Sequence, residues 1–151
     1  MIGRVGLLLG AVVAVVAVAC ASTATPTQAP VAVCALVPNM DALVGQTSVG
    51  APGFFTLNGL DRCIWTYATD PARSVGVSVA PARAHQGAID NFGQGETIGG
   101  VGDDARWFEG NRLLSILAGQ KAVHVDLQLD EGDSTKDLAV AIGAAALANL
   151  H

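Results

Sequence analysis

Apolar and polar residues alternate in several short runs of this chain, and elsewhere the apolar positions recur at helical spacing. The clearest alternation is Lys121 to Leu129. There Val123, Val125, Leu127 and Leu129 interleave with His124, Asp126 and Gln128, the period of a strand with one buried face. Ser74 to Val79 alternates as strictly, with Val75, Val77 and Val79 pointing one way. Arg62 to Tyr67 sets Cys63, Trp65 and Tyr67 on one face. Phe54 to Leu57, leading into the turn signal Asn58-Gly59, predicts another strand. Ala105 to Phe108 and Arg112 to Ala118 complete the set, with Gly110-Asn111 and Gly119-Gln120 as turns.

Three segments read as helices. Val37 to Gly45 is short, with Gly45 as its stop. Ala82 to Phe92 follows Pro81 and carries His85, Ile89 and Phe92 at helical spacing. Ser134-x-x-Asp137 is a capping box opening a helix that runs to Leu150. Gly93 to Gly102 reads as a glycine-rich connector. The order is therefore α-βββ-α-βββ-α. It predicts an α+β domain, a curved antiparallel sheet of about six strands with helices on one face. Two strand-strand-strand-helix halves suggest a structural pseudo-repeat without sequence identity. The last helix has no charge between Leu138 and Asn149 and is mostly alanine, which suits close burial against the sheet and a second element or partner.

The N-terminus changes the picture of where this domain works. Arg4 is the only basic residue before Arg62, and Val5 to Ala19 is an apolar run of 15 residues. That is short of the roughly 20 needed to span a bilayer, but fits the apolar region of a signal peptide covering residues 1–19. Ala17-Val18-Ala19-Cys20 resembles a bacterial lipobox, although Ala17 stands where Leu is commonest. Cys20 is read as the lipidation site, taking a diacylglycerol with acylation of the new N-terminus. Plain secretion after Ala17-x-Ala19 is the alternative. Residues 20–30 form the lipidated Cys and a Thr/Pro-rich tether, leaving 31–151 as one extracytoplasmic domain. Cys34 and Cys63 would then lie in an oxidising compartment, where a disulfide is the default for an isolated pair.

Composition excludes more than it assigns. The chain has 151 residues, 13 acidic and 8 basic, for a net charge of −5, so nucleic acid is excluded as a partner. Its 51% hydrophobic content is inflated by the first nineteen residues. Gly76-Val77-Ser78-Val79-Ala80 stops one residue short of a nucleophile elbow, with Asp103, His124 and Asp126 as nominal triad partners. Ser78 lies between two β-branched valines, which resist the strained turn an elbow needs. Gly93-Gln94-Gly95-Glu96-Thr97-Ile98 lacks the third glycine of a dinucleotide loop. The acidic clusters Asp103-Asp104 and Asp130-Glu131-Gly132-Asp133 lack calcium-loop spacing, and His85, His124 and His151 lack zinc-ligand spacing. No catalytic residue, metal or cofactor is assigned. Trp65 and Trp107 are the residues to line a pocket between sheet and helix, or simply to fill the core.

Several weak motifs occur together in order. They are Cys20, the Pro/Thr tether, Cys34 ahead of the first helix, Cys63-Ile64-Trp65, Val101-Gly102-Asp103-Asp104-Ala105-Arg106-Trp107, and the Ala-rich last helix. In this the chain resembles the actinobacterial envelope lipoproteins of domain of unknown function 3558, over most of its mature length. The resemblance implies a lipid-anchored domain on the outer face of the cell membrane with a Cys34–Cys63 bridge, and it carries over no activity. The expected role is a non-catalytic binding or accessory module, held to the membrane by its anchor and meeting an envelope protein. The alternative is a carrier or sensor of an apolar small molecule or lipid in an internal cavity. A small serine hydrolase is the remote one.

Overall fold

The computed structural model describes residues 32–151. The signal peptide, Cys20 and the tether lie outside the described residues. The chain opens with a 3-10 turn, Val33–Leu36, and helix α1 (Met40–Val44). Strands β1 (Gly53–Leu57), β2 (Leu60–Thr69) and β3 (Ala72–Pro81) follow as a meander, then helix α2 (Arg83–Phe92). Strands β4 (Glu96–Thr97), β5 (Asp104–Phe108), β6 (Leu113–Ala118) and β7 (Lys121–Gln128) lead to helix α3 (Lys136–Ala148). All seven strands form one open antiparallel sheet in the order β1-β2-β3-β7-β6-β5-β4. The α+β class stands, with one more strand than the sequence pattern predicts. The addition, β4, is two residues long inside the glycine-rich connector, too short to leave a period.

The alternation does what period-2 patterning dictates. Val75, Val77 and Val79 of β3 lie opposite Leu127, Val125 and Val123 of β7. With Cys63, Trp65, Leu114, Ile116 and Trp107 they make one apolar face. Helix α3 covers it through Ala139, Ile142 and Ala146, and the 3-10 turn and α1 cover its β2 end through Val33, Leu36 and Met40. Gly143 is what lets α3 approach: a Cβ there would stand 2.5 Å from Ile116 Cδ1. The alanines of α3 thus serve a close helix–sheet contact. Cys34 and Cys63 are disulfide-bonded, with Cα atoms 5.2 Å apart, which ties the first turn to β2. Closing that 29-residue separation stabilises the fold by about 3–4 kcal/mol in the chain-entropy model.

Two expectations about the helices are corrected. Helix α2 does not share a face with α1 and α3. Its His85 bonds Ser115, which points away from the core-facing Leu114 and Ile116 on either side of it. The reason is chemical. The opposite face of β3, β6 and β7 presents Ser78, Ser115 and His124, and a helix that brings its own polar group, His85, pairs Ser115 there. The three-stranded halves meet at the β3–β7 pair, but α2 and α3 take opposite faces, so the pseudo-repeat is confined to the strands. The second correction is the cap of α3. Thr135 caps it, its Oγ1 accepting from Leu138 N at 3.2 Å. The Ser134 hydroxyl is instead used by Leu129 N, which donates to it at 3.1 Å.

Candidate functional site

Strand register aligns a polar row across the face under α2. Phe55, Arg62, Ser78, His124, Ser115, Arg106 and Thr97 stand opposite one another from β1 to β4. Helix α2 lowers His85 onto this row. His85 Nε2 lies 3.0 Å from Asp104 Oδ2, and Nδ1 lies 2.9 Å from Ser115 Oγ. A carboxylate can only accept, so Nε2 donates to Asp104, and in the neutral ring Nδ1 accepts the Ser115 hydroxyl proton. Arg106 Nε donates to both Asp104 oxygens at 3.1 Å and its Nη1 to Thr97 at 2.8 Å. The His85 hydrogen bond, with help from Arg106, holds the Asp104 carboxyl below its usual range.

On the other side of the row Arg62 Nη2 donates to Asp126 Oδ1 at 2.6 Å. The pair crosses directly over Gly76, where a Cβ would stand 2.4 Å from Asp126 Oδ2 and 2.5 Å from Arg62 Nη2. Glycine is required there by the space the ion pair occupies. Burial raises the Asp126 carboxyl against the opposing pull of Arg62. His124 sits between the two clusters, and its buried Nε2 has no hydrogen-bond partner. Burial first, then the charges of His85 and Arg62, push its pKa down to about 4.

Asp104, His85 and Ser115 are in line like the members of a serine-hydrolase triad, but with the two ring nitrogens exchanged, Nε2 facing the carboxylate and Nδ1 the hydroxyl. The arrangement cannot serve as one in this fold. Ser115 has 0% exposure and sits mid-strand in β6 beneath α2, with no approach for a substrate carbonyl. The triad considered from sequence does not assemble. Ser78 faces His124 across the β3–β7 pair with no hydrogen bond joining them. Asp126 is engaged by Arg62, and Asp103 accepts from Gly119 N at 2.7 Å in the β6–β7 turn. Sequence reasoning missed Ser115 and Asp104 as partners of His85. The available signal was a histidine on the inward stripe of α2 together with a serine inside the apolar run of β6. What this relay does is fasten α2 to the sheet.

The accessible features lie elsewhere. Trp65 and Trp107 are both core residues, and the structure does not bring them together around a cavity. Trp107 Nε1 donates to Glu109, and its ring backs an open groove of about 330 Å³ shared with Phe92 and Phe108. A larger open groove of about 490 Å³ runs between the β1–β2 hairpin and the start of α2. It is lined by Leu57, Leu60, Ala80, Pro81, Arg83 and Ala84. Strand β1 contributes Leu57 to it, and along the strand Phe54 is 50%, Phe55 41% and Leu57 62% exposed. Among the described residues no three His, Cys, Asp or Glu side chains gather to hold a metal ion. No described helix is long and apolar enough to cross a membrane. In comparisons with known proteins the chain matches no family model, no curated protein and no solved structure.

Proposed function

We propose that this protein is a non-catalytic, lipid-anchored docking module of the cell envelope, similar in kind to the lipoprotein family its motif order resembles. The observation that carries the reading is strand β1. Three of its five residues are large and apolar and all three are exposed, so β1 alone carries three of the five large apolar side chains exposed among the described residues. Phe54 stands on one face of this edge and Phe55 and Leu57 on the other, and exposed apolar side chains gathered on one element are characteristic of interaction sites. The sealed Ser115 and Ser78 support a non-catalytic role, and Ala17-Val18-Ala19-Cys20 supports an anchor at Cys20.

A second reading, a carrier of an apolar small molecule, is favoured by the groove between β1 and α2, which is large enough for a ligand but open along its length. One experiment separates the two. A photo-reactive residue placed at Phe54 or Leu57 of the full chain, irradiated in intact envelopes, is expected to cross-link to protein. Cross-linking to small molecules alone, with the same adduct retained in native mass spectrometry, would sink the docking reading in favour of the carrier. Cys20→Ser is expected to shift the chain from the membrane to the soluble envelope fraction, and unchanged membrane retention would remove the anchor.

A further inference from the structure

The two edges of the open sheet are built differently. At one edge β4 is two residues long, with Glu96 ion-paired to Lys136 Nζ at 2.7 Å and Thr97 accepting from Arg106. A short, charged edge resists the addition of another strand. At the other edge β1 has five residues, Gly-Phe-Phe-Thr-Leu, without a charge, a proline or a bulge in its pairing with β2. None of the usual protections is present.

The hairpin turn decides which backbone groups are free. Asn58 and Gly59 have φ of 53° and 78°, the two positive values of a type I′ turn. The flanking Leu57 and Leu60 therefore exchange hydrogen bonds, and alternation assigns Phe55–Arg62 and Gly53–Ile64 to the same class. Phe54 and Thr56 turn their N–H and C=O groups outward, where no described residue pairs with them. Two free residues flanking a central one is the pattern a strand presents to its own antiparallel copy.

We propose that β1 pairs with β1 of a second copy about a two-fold axis at Phe55, joining two seven-stranded sheets into one. This rests on the reading of β1 as the docking surface and names its occupant. In that register Phe54 lies opposite Thr56 of the second copy, and each such pair exchanges both of its N–H···O bonds. Phe55 meets its own copy in the close, non-hydrogen-bonded position, where an aromatic pair adds most. Leu57 falls opposite Gly53 of the second copy, where a Cβ would meet nothing within 4 Å, so large faces small on both sides of the axis. The charged groups of β2 beside this edge already have hydrogen-bond partners. Asp61 accepts from Thr56 Oγ1 at 2.7 Å, and Arg62 is held by Asp126. The exposed parts of Phe54, Phe55 and Leu57 come to about 300 Å² per copy at ordinary side-chain areas. That places the contact at the weak end of specific interfaces, where confinement to a membrane surface raises the effective concentration.

The test uses the full chain in an oxidising envelope, comparing Phe55→Cys with Thr56→Cys so that Cys20 is common to both. Facing residues at the axis have Cα atoms about 4.5 Å apart, within disulfide reach, whereas Thr56 lies beyond it from its own copy. Phe55→Cys is expected to give a disulfide-linked dimer and Thr56→Cys none. Sedimentation of the purified chain is expected to show self-association that Thr56→Pro, lacking the outward N–H, weakens by about tenfold or more. Equal cross-linking of both cysteines, or a chain monomeric up to about 1 mM with no cross-link, overturns the pairing. If photo-cross-links from Phe54 then join a different protein, the docking reading survives without it. If they join no protein, both fall.

Discussion

The two faces of the central sheet are written by the same alternation and held by different physics. Under α3 the strands present Val75, Val77, Ile116, Val123 and Val125, and the helix answers with Ala139, Ile142 and Gly143. Nothing there needs a specific partner atom. Apolar area leaves water, and Gly143 sets how closely the layers approach. Under α2 the same strands present Ser78, Ser115, His124 and Asp126, and every group needs a partner of the right sign at the right distance. The relay through His85 meets that need on one side and the Arg62–Asp126 pair on the other, with His124 left between them. A dry face tolerates many side chains of similar size, while a polar seam is specific and leaves His124 Nε2 and Arg62 Nε without a partner.

The neighbours Ile116 and Ser115, one on each face, are the direct way to break that comparison. Ile116→Ala is expected to cost about 3–4 kcal/mol in urea denaturation, through lost transfer energy and a cavity against Gly143. A cost below about 1 kcal/mol would mean that α3 collapses into the gap and the dry face is less rigid than its packing implies.

Acid acts on the polar face through His124. His124 has a folded pKa of about 4 against 6.5 for the free side chain. Between those values the unfolded chain binds a proton that the folded chain refuses, so stability is full above pH 6.5 and falls as the pH drops towards 4. The loss attributable to this ring is about 3 kcal/mol at most. His124→Gln is expected to flatten the wild-type dependence across that window in denaturation curves taken at several pH values. Parallel curves for the two chains would show that the ring is hydrated in the fold. Asp104, whose carboxyl is held low by His85, adds a loss of the same sign at more acid pH in both chains.

The smallest effect sharpens the difference further. Ser115→Ala leaves His85 Nδ1 without its hydroxyl and is expected to cost about 1–3 kcal/mol. Faster hydrogen exchange should then be confined to α2, because the relay is its fastening to the sheet. Exchange that quickens equally in α3 would show that the two faces are not independent.

Much of the fold was legible in the sequence because the signals are local. Val123 to Leu129 alternates whatever its neighbours do, Asn58-Gly59 specifies its turn by itself, and Gly45 ends α1 with a left-handed φ of 74°. The Cys34–Cys63 bridge matches the pairing expected of the two cysteines that follow Cys20. Strand β4 was not legible, since Glu96 and Thr97 become a strand only by pairing with Trp107 and Arg106. Neither was the cap of α3. Ser134 and Thr135 are equally good caps in sequence, and the choice depends on Leu129 N reaching the Ser134 hydroxyl.

By itself, then, the sequence determined the order of three helices and six of the seven strands, the alternation of β2, β3 and β7, and the Cys34–Cys63 bridge. Each is a matter of short-range period, turn chemistry or the pairing expected of two cysteines. Only the tertiary structure decided that α2 crosses to the face opposite α3, that His85 meets Ser115 and Asp104, and that Gly76 clears the path of Arg62 to Asp126. It also decided that β1 keeps Phe54, Phe55 and Leu57 in the open. Those outcomes depend on which strands become neighbours, and partners far apart in the chain leave no period between them to read.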